Sequence, residues 1–306
     1  MKKQDFLTVG DVTPQEWRAL LRLAADCKRV RTLGRGWLAG RIVALVFQKP
    51  SMCTRAAFEV AVVQLGGHVM SLGKEEIQLG QREPIKDAAR VLSRYVDALV
   101  VRTFAHRDAE EFAAFATVPV INGLSDRHHP CQALADWLTI GEAFGGLRGL
   151  QVAYVGDGNN VLHSFAEGAA ALGVRLRVAT PRGYEPDRTV WRRVAARRRS
   201  GAALTMGHDP AAAVRGADVV YTDVWTSMGQ EAERAGRLRA FKGFQVNEAL
   251  LKRAKPGCRV LHCLPAHRGE EITNAVMEGA RSLVFDQAEN RLHAHKAILM
   301  QLLGRR

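Results

Sequence analysis

The chain has 306 residues, more than most single hydrophobic cores accommodate, so two domains are expected. A hydrophobic share of 47% with 25% charged residues is typical of a globular protein and argues against a disordered or fibrous one. The net charge of +13 is compatible with a nucleic-acid or anionic-membrane partner. The densest basic run, 191–199, has few interleaved aromatic residues, however, and we interpret it as one solvated helix face.

Cysteine usage and the amino terminus set the expected compartment. The five cysteines are widely spaced, with no Cys-x-x-Cys pair, which argues against a disulfide framework or a structural zinc site. Lys2 and Lys3 are not followed by an apolar run, and no apolar stretch reaches the ~20 residues that span a bilayer. We therefore expect a cytoplasmic protein without a metal site or a membrane or nucleic-acid partner.

Short, almost continuously apolar segments alternate with helical patterns, which is typical of an α/β fold with right-handed crossovers. The predicted strands are 41–47, 97–102, 119–122, 151–155, 175–179, 219–222, 259–262 and 283–285. The predicted helices are 54–65, 88–95, 108–115, 132–142, 161–172, 247–254 and 289–303. A glycine-containing stretch, 143–149, suggests a boundary. We predict two doubly wound domains, each with a mainly parallel sheet flanked by helices, at 1–139 and 140–288, with a C-terminal helix, 289–306, returning to the first domain.

The first segment with candidate chemistry, 48–55, joins a strand to a helix. Ser51 is a good N-cap residue, and the free N–H groups of a helix N-terminus attract anions. The hydroxyls of Ser51 and Thr54 and the guanidinium of Arg55 would complete a phosphate site. From the residues alone, an ordinary capped helix start explains this segment equally well.

Polar residues also follow other strands of the first predicted domain. Arg102 lies at a strand's carboxyl end, where open α/β sheets bind ligands. His129 and Gln132 flank Pro130 at the start of a helix. A lone histidine is more often structural, and the adjacent His128 lacks the carboxylate or cysteine spacing of a metal site.

Three segments of the second predicted domain follow strands in the same way. The Gly-Asp-Gly-Asn-Asn loop at 156–160 lacks the further glycines of a dinucleotide site and favours amide recognition of a small polar ligand. Asp223 offers a carboxylate to an ammonium group. Cys263 is either a polarizable neighbour of a substrate or a small buried apolar residue.

In this order, the segments closely resemble the ornithine carbamoyltransferase family over nearly the whole chain. The motifs that carry the resemblance are 58–61, 64–68, 119–126, 129–136, 156–160, 222–229, 262–271 and 285–291. Ser227-Met228-Gly229 and the His-Cys-Leu-Pro sequence at 262–265 favour ornithine over aspartate as acceptor. The resemblance implies that the δ-amine of ornithine attacks carbamoyl phosphate, giving citrulline and phosphate in arginine metabolism, without a cofactor.

The resemblance also implies roles for individual residues and a homotrimer, or a multiple of trimers, with sites at subunit interfaces. The implied carbamoyl-phosphate-binding residues are Ser51, Met52, Cys53, Thr54, Arg55, Gln78, Arg102, His129, Gln132 and Arg291, with Gln78 serving the adjacent subunit. The implied ornithine-binding residues are Asn160, Asp223, Ser227, Met228, Cys263 and Leu264. The implied catalytic residues are Arg102, His129, Gln132, Cys263 and Arg291.

The phosphate loop departs from the family pattern, which usually has arginine at the position of Cys53. The change removes a guanidinium, and a lost charge-assisted hydrogen bond costs about 1.5–3 kcal/mol. Three accounts stay open: a weakened enzyme, a carbamoyltransferase with another donor or acceptor, and a non-catalytic ligand-binding paralogue. The other predicted catalytic residues are intact, which favours the first account.

Overall fold

The computed structural model describes residues 3–74, 83–198 and 201–304. The chain divides into two compact units. The first comprises Met1–Leu138 and Glu289–Arg306, and the second comprises Thr139–Ala288. The described strands of each unit form one parallel sheet.

The first unit is built on four described strands. They are β1 (Ile42–Phe47), β2 (His68–Gly73), β3 (Ala98–Arg102) and β4 (Val120–Leu124). They pair in parallel in the order β2-β1-β3-β4. The helices that begin in this part of the chain are α1 (Pro14–Arg29), α2 (Met52–Gln64), α3 (Ile85–Leu92), α4 (His106–Phe115) and α5 (Pro130–Phe144).

The second unit is built on five described strands. They are β5 (Gln151–Val155), β6 (Arg175–Ala179), β7 (Leu204–Gly207), β8 (Val219–Thr222) and β9 (Arg259–His262), in the parallel order β7-β6-β5-β8-β9. The remaining helices are α6 (Asn160–Leu172), α7 (Arg188–Ala196), α8 (Pro210–Val214), α9 (Arg234–Ala240), α10 (Glu248–Leu251), α11 (Asn274–Glu278) and α12 (Val284–Leu303).

Strand register brings the candidate segments together within each unit. All residues of β3 and β5 are buried, which explains why each is apolar apart from one terminal residue, Arg102 or Gln151. Phe47 pairs with Arg102, so the loop after β1 begins beside the end of β3. In the second unit Thr222 pairs with His262, so the segments after β8 and β9 begin side by side.

The C-terminal helix packs against the first unit, as the sequence predicted. Lys296 is fully buried and its Nζ donates to the Arg31 carbonyl at 3.1 Å. Arg41 donates to the carbonyls of Leu303 and Gly304 at the helix end. No helix in the described part of the chain is long and apolar enough to cross a membrane.

The prediction of two α/β units with parallel sheets is confirmed, but individual elements differ. The strand predicted at 283–285 is wrong, because Val284 begins α12 and the ladder contact here is an isolated bridge from Ser282 to Val260. The edge strands β2 and β7 were not predicted. Each has one neighbouring strand, and both are partly exposed and include polar residues, so they lack the continuous apolar run of a central strand.

Candidate active site

The loop after β1 ends in a capped helix. Ser51 is the N-cap of α2, and its Oγ accepts a hydrogen bond from the Thr54 N–H at 3.2 Å. A helix N-terminus has N–H groups without partners inside the helix and a partial positive charge, so it favours an anion. Met52 is exposed and Cys53 is half-buried, and neither side chain adds a fixed positive charge to the loop.

Two arginines converge on this helix start. Thr54 is fully buried, and its Oγ1 accepts hydrogen bonds from Arg102 Nη1, at 3.4 Å, and from Arg291 Nη2. Arg102 comes from the end of β3 and Arg291 from the C-terminal helix, and both are almost completely buried. Two guanidinium groups beside a helix N-terminus form a strongly cationic site for a small anion.

A neutral histidine lies beside the two arginines. His129 immediately precedes α5 and is buried. Burial, followed by the positive charges of Arg291 and Arg102, holds the pKa of His129 well below its ordinary range. The imidazole is therefore uncharged near neutral pH and offers one N–H donor and one acceptor nitrogen.

Gln132 and the preceding loop complete this part of the site. Gln132 is buried in the first turn of α5, and its Nε2 donates to Asp136 Oδ1 at 2.7 Å. Its Oε1 has no hydrogen-bond partner among the described residues. The loop before His129 is fixed by Ser125, whose N–H donates to the His128 carbonyl at 2.9 Å.

Arg55, which was predicted to bind carbamoyl phosphate, contacts a glutamate of its own helix. The Nε of Arg55 donates to Glu59 Oε1 at 2.8 Å, and Ser71 Oγ donates to the same oxygen at 2.9 Å. The Arg55 side chain is 55% exposed, so it pairs on the helix surface. Gln78 lies outside the described residues.

The second unit holds its own polar cluster around Asp223. Asp223 is buried after β8, and its Oδ2 accepts from Asn159 Nδ2 at 2.7 Å. Cys263 Sγ donates to the other oxygen, Oδ1, at 2.9 Å. Asn159 also caps α6, and the adjacent Asn160 is buried in the first turn. A carboxylate, a thiol and two amides thus lie at the ends of neighbouring strands.

A buried arginine, Arg237, forms a hydrogen bond with the loop that carries Ser227 and Met228. Arg237 Nη1 donates to the Trp225 carbonyl at 2.9 Å and pairs with Asp157 Oδ2 at 3.1 Å. Burial raises the pKa of Asp157 to about 6, although Arg237 opposes the shift. Met228 is 45% exposed, so its side chain is not held by a core.

The residues after β9 are held by a buried histidine. Leu264 adopts a left-handed backbone with φ 58°, which is rarely populated by a residue with a branched side chain. Its N–H donates to His262 Nδ1 at 3.0 Å, so Nε2 of that ring carries the proton and donates to Glu271 Oε1 at 2.9 Å. Glu271 thereby fixes the orientation of the Cys263-Leu264 segment.

Comparisons with known proteins show the family to which the chain belongs. The family models "Aspartate/ornithine carbamoyltransferase, carbamoyl-P binding domain" and "Asp/Orn binding domain" match residues 4–142 and 148–302. The ornithine carbamoyltransferase of Thermus thermophilus is 54% identical over 300 residues, covering 98% of this chain and 97% of that protein. The solved ornithine carbamoyltransferase of Pyrococcus furiosus has a TM-score of 0.94 at 51% identity, covering 99% of this chain and 97% of that one. The chain belongs to the ornithine carbamoyltransferase family.

Membership in the ornithine carbamoyltransferase family confirms the resemblance drawn from the motifs. The structure adds residues to which the sequence assigned no role. Asn159 and Glu271 stand inside quoted motifs, so a signal was present for both. Arg237 lies 12 residues after Trp225 and outside the quoted motifs, and its ion pair with Asp157 joins residues 80 positions apart, so no local pattern indicated it.

Among the described residues, two groups of side chains have donor atoms close enough together to hold a metal ion. In one of them, Asp223, His262 and Cys263 have ligand atoms within 4.8 Å of one another. Both ring nitrogens of His262 already form hydrogen bonds, however, and both oxygens of Asp223 accept one. This arrangement favours a hydrogen-bonding network over coordination.

Proposed function

We infer that the chain transfers the carbamoyl group of carbamoyl phosphate to the δ-amine of L-ornithine, giving L-citrulline and phosphate in arginine metabolism. The observation that carries this inference is the convergence of Arg102 and Arg291 on Thr54 at the capped start of α2. Relatives that are 50–54% identical and match nearly the whole chain carry the name ornithine carbamoyltransferase. That name favours the enzyme over a non-catalytic ligand-binding paralogue.

The first unit activates carbamoyl phosphate. The N-terminus of α2 with Ser51 and Thr54 receives the phosphate, and Arg102 and Arg291 neutralise its charge. Neutral His129 donates a hydrogen bond to the carbamoyl oxygen, on which negative charge develops as the amine attacks. The Oε1 of Gln132 accepts a hydrogen bond from the carbamoyl NH2, and Asp136 holds the Gln132 amide in place. Because these donors are fixed before the reaction, they stabilise the transition state without reorganising.

The second unit recognises ornithine. Asp223 pairs with the α-ammonium group, while Asn160, Ser227 and the backbone of Met228 bind the rest of the amino-acid end. Cys263 and the Leu264 carbonyl orient the δ-amine. This amine attacks the carbonyl carbon in its uncharged form and gives a tetrahedral adduct with negative charge on the carbamoyl oxygen. The bond from that carbon to the phosphate oxygen then breaks, and the proton lost by the amine leaves with the phosphate.

Cys53 weakens the phosphate site without abolishing it. The chain retains two buried arginines at Thr54, so loss of a third guanidinium removes about 1.5–3 kcal/mol of binding or transition-state stabilisation. The corresponding rate falls by roughly one to two orders of magnitude.

We also propose a compartment, an assembly state and a cofactor requirement for the protein. The protein works in a reducing cytoplasm, which suits its five free cysteines. It assembles as a homotrimer in which Gln78 reaches the carbamoyl phosphate of the adjacent subunit. It needs no metal or organic cofactor, because positioning and electrostatics suffice for this transfer.

Citrulline formation by the purified chain from carbamoyl phosphate and ornithine tests the function. Arg102→Gln should reduce kcat/KM for carbamoyl phosphate at least tenfold, whereas Asp223→Asn should raise the KM for ornithine. Arg192→Gln, an exposed arginine on α7, is the matched control and should behave like the wild type. A folded wild-type chain that forms no citrulline would contradict the proposed function.

A further inference from the structure

A buried histidine on α12 lies beside the cationic site. His295 is fully buried and follows Arg291 by four residues, about one helical turn. Its ring stacks on Phe58 of α2, with centroids 3.7 Å apart and planes inclined by 8°. Phe58 follows Thr54 by four residues. The same two helices therefore make two contacts one turn apart, Arg291 on Thr54 and His295 on Phe58.

The second contact limits how Arg291 can approach Thr54. A long arginine side chain can reach one hydroxyl from several helix positions, so the hydrogen bond alone leaves the register of the two helices loose. A flat ring packed face to face one turn away removes that freedom. Fixing a charged group before its ligand arrives lowers the ordering cost of binding.

The surroundings of His295 agree with a packing role. Its ring contacts the Ala57 backbone as well as the Phe58 ring, and both residues belong to α2. Burial and the positive charge of Arg291 hold the pKa of His295 well below its ordinary range. The ring is thus an uncharged aromatic surface that does not repel Arg291.

We propose that His295 is a positioning residue for carbamoyl phosphate, because its stack on Phe58 fixes the register of α2 and α12 and so directs Arg291 at the phosphate loop. This role rests on the proposed function, since carbamoyl phosphate is its ligand. Anion binding, which does not require turnover, provides a readout that is independent of the proposed reaction.

Substitutions at position 295 test the stack directly. His295→Ala should raise the KM for carbamoyl phosphate about tenfold, with the KM for ornithine unchanged, because Arg291 loses part of a charge-assisted contact. His295→Phe keeps an aromatic face and should stay within about twofold of the wild type. Ile298→Ala, which also truncates a buried side chain of α12, is the matched control and should lower the Tm without changing that KM.

A double-mutant cycle with Phe58→Leu tests the same stack from its other partner, so the proposal can be tested even if His295→Ala folds poorly. Phe58→Leu should reproduce the effect of His295→Ala, and the double variant should add little to either. Equal changes in KM for His295→Ala and Ile298→Ala, or fully additive effects in the cycle, would overturn the proposal. Calorimetry should show weaker binding of inorganic phosphate to His295→Ala than to His295→Phe or Ile298→Ala. This measurement does not depend on citrulline formation, so failure of the proposed function and failure of this proposal remain distinguishable.

Discussion

At the scale of single residues, the unusual feature is a pair of buried guanidinium groups on one hydroxyl. Burying like charges together is costly unless an anion lies between them. Arg102 and Arg291 nevertheless meet at Thr54, next to the partial positive charge of a helix N-terminus. Under the proposed function, bound phosphate would offset this repulsion, so the site would gain affinity for its substrate at the expense of stability without it.

Restoring the missing arginine should strengthen this site. We expect Cys53→Arg to raise kcat/KM for carbamoyl phosphate by roughly tenfold to a hundredfold, because a third guanidinium adds a charge-assisted hydrogen bond. Steady-state citrulline assays measure the change. Met52→Arg adds the same charge at the exposed neighbouring position and should give a much smaller gain. Equal gains from both variants would show that net charge alone acts.

The buried histidines predict how stability depends on pH. The pKa values of His129 and His295 are lowered in the folded protein, so below about pH 6.5 the unfolded chain binds protons that the folded chain does not. As the pH falls below about 6.5, the free energy of unfolding should therefore decrease by up to about 1.4 kcal/mol per pH unit for each histidine.

Thermal unfolding at pH 7.5, 6.5 and 5.5 measures this loss. His295→Phe removes one of the two groups and should lose less Tm between pH 6.5 and 5.5 than the wild type does. His68→Phe, at an exposed position, should follow the wild-type curve. Parallel curves for His295→Phe and the wild type would contradict the assignment.

At the scale of elements, the sites are made by strand ends and helix starts. β1 and β3 end side by side, as do β8 and β9, so residues distant in sequence meet at one edge of each sheet. The irregular segments that follow are then fixed by buried side chains, as Arg237 fixes the Trp225 carbonyl. These contacts hold loops that have no ladder hydrogen bonds of their own.

Removing Arg237, which holds the loop that carries Ser227 and Met228, should weaken ornithine binding selectively. Arg237→Gln loses an ion pair with Asp157 and the contact to the Trp225 carbonyl. We expect the KM for ornithine to rise about tenfold while the KM for carbamoyl phosphate changes little. Arg239→Gln, an exposed arginine of the same helix, serves as the control. Equal rises in both KM values would indicate general unfolding instead.

At the scale of the whole molecule, the first unit is assembled from both ends of the chain. Glu289–Arg306 belongs to the same unit as Met1–Leu138, although the second unit intervenes in sequence. The helix supplies Arg291 to the site and fills the core with residues such as Ala297 and Leu299. The first unit therefore completes its core only when the end of the chain is present.

Deleting residues 289–306 should abolish cooperative unfolding of the first unit as well as citrulline formation. The deletion exposes apolar surface that the helix covers and removes Arg291, one of the two arginines that donate to Thr54. Differential scanning calorimetry and the citrulline assay measure the two losses. Deleting residues 305 and 306 alone, beyond the carbonyls that Arg41 contacts, is the control and should retain both properties.

The central strands and the chemistry-bearing segments could be predicted because their signals are local. β5, β6, β8 and β9 have the predicted bounds, since strands buried on both faces are continuously apolar. The start of α12 could not be predicted, because a short apolar run such as 283–285 suits a strand and a helix alike. Arg55 was predicted to bind phosphate, and this stays a prediction; in the structure its side chain pairs with Glu59, four residues further along α2.

The sequence by itself determined the fold class, the family and most of the candidate side chains, because buried strands, capped helix starts and family motifs are properties of neighbouring residues. The tertiary structure alone decided that Arg102 and Arg291 share Thr54, that Arg237 pairs with Asp157, and that His295 stacks on Phe58. These contacts join residues up to 237 positions apart. Such pairs depend on how whole elements pack, so no local pattern can specify them.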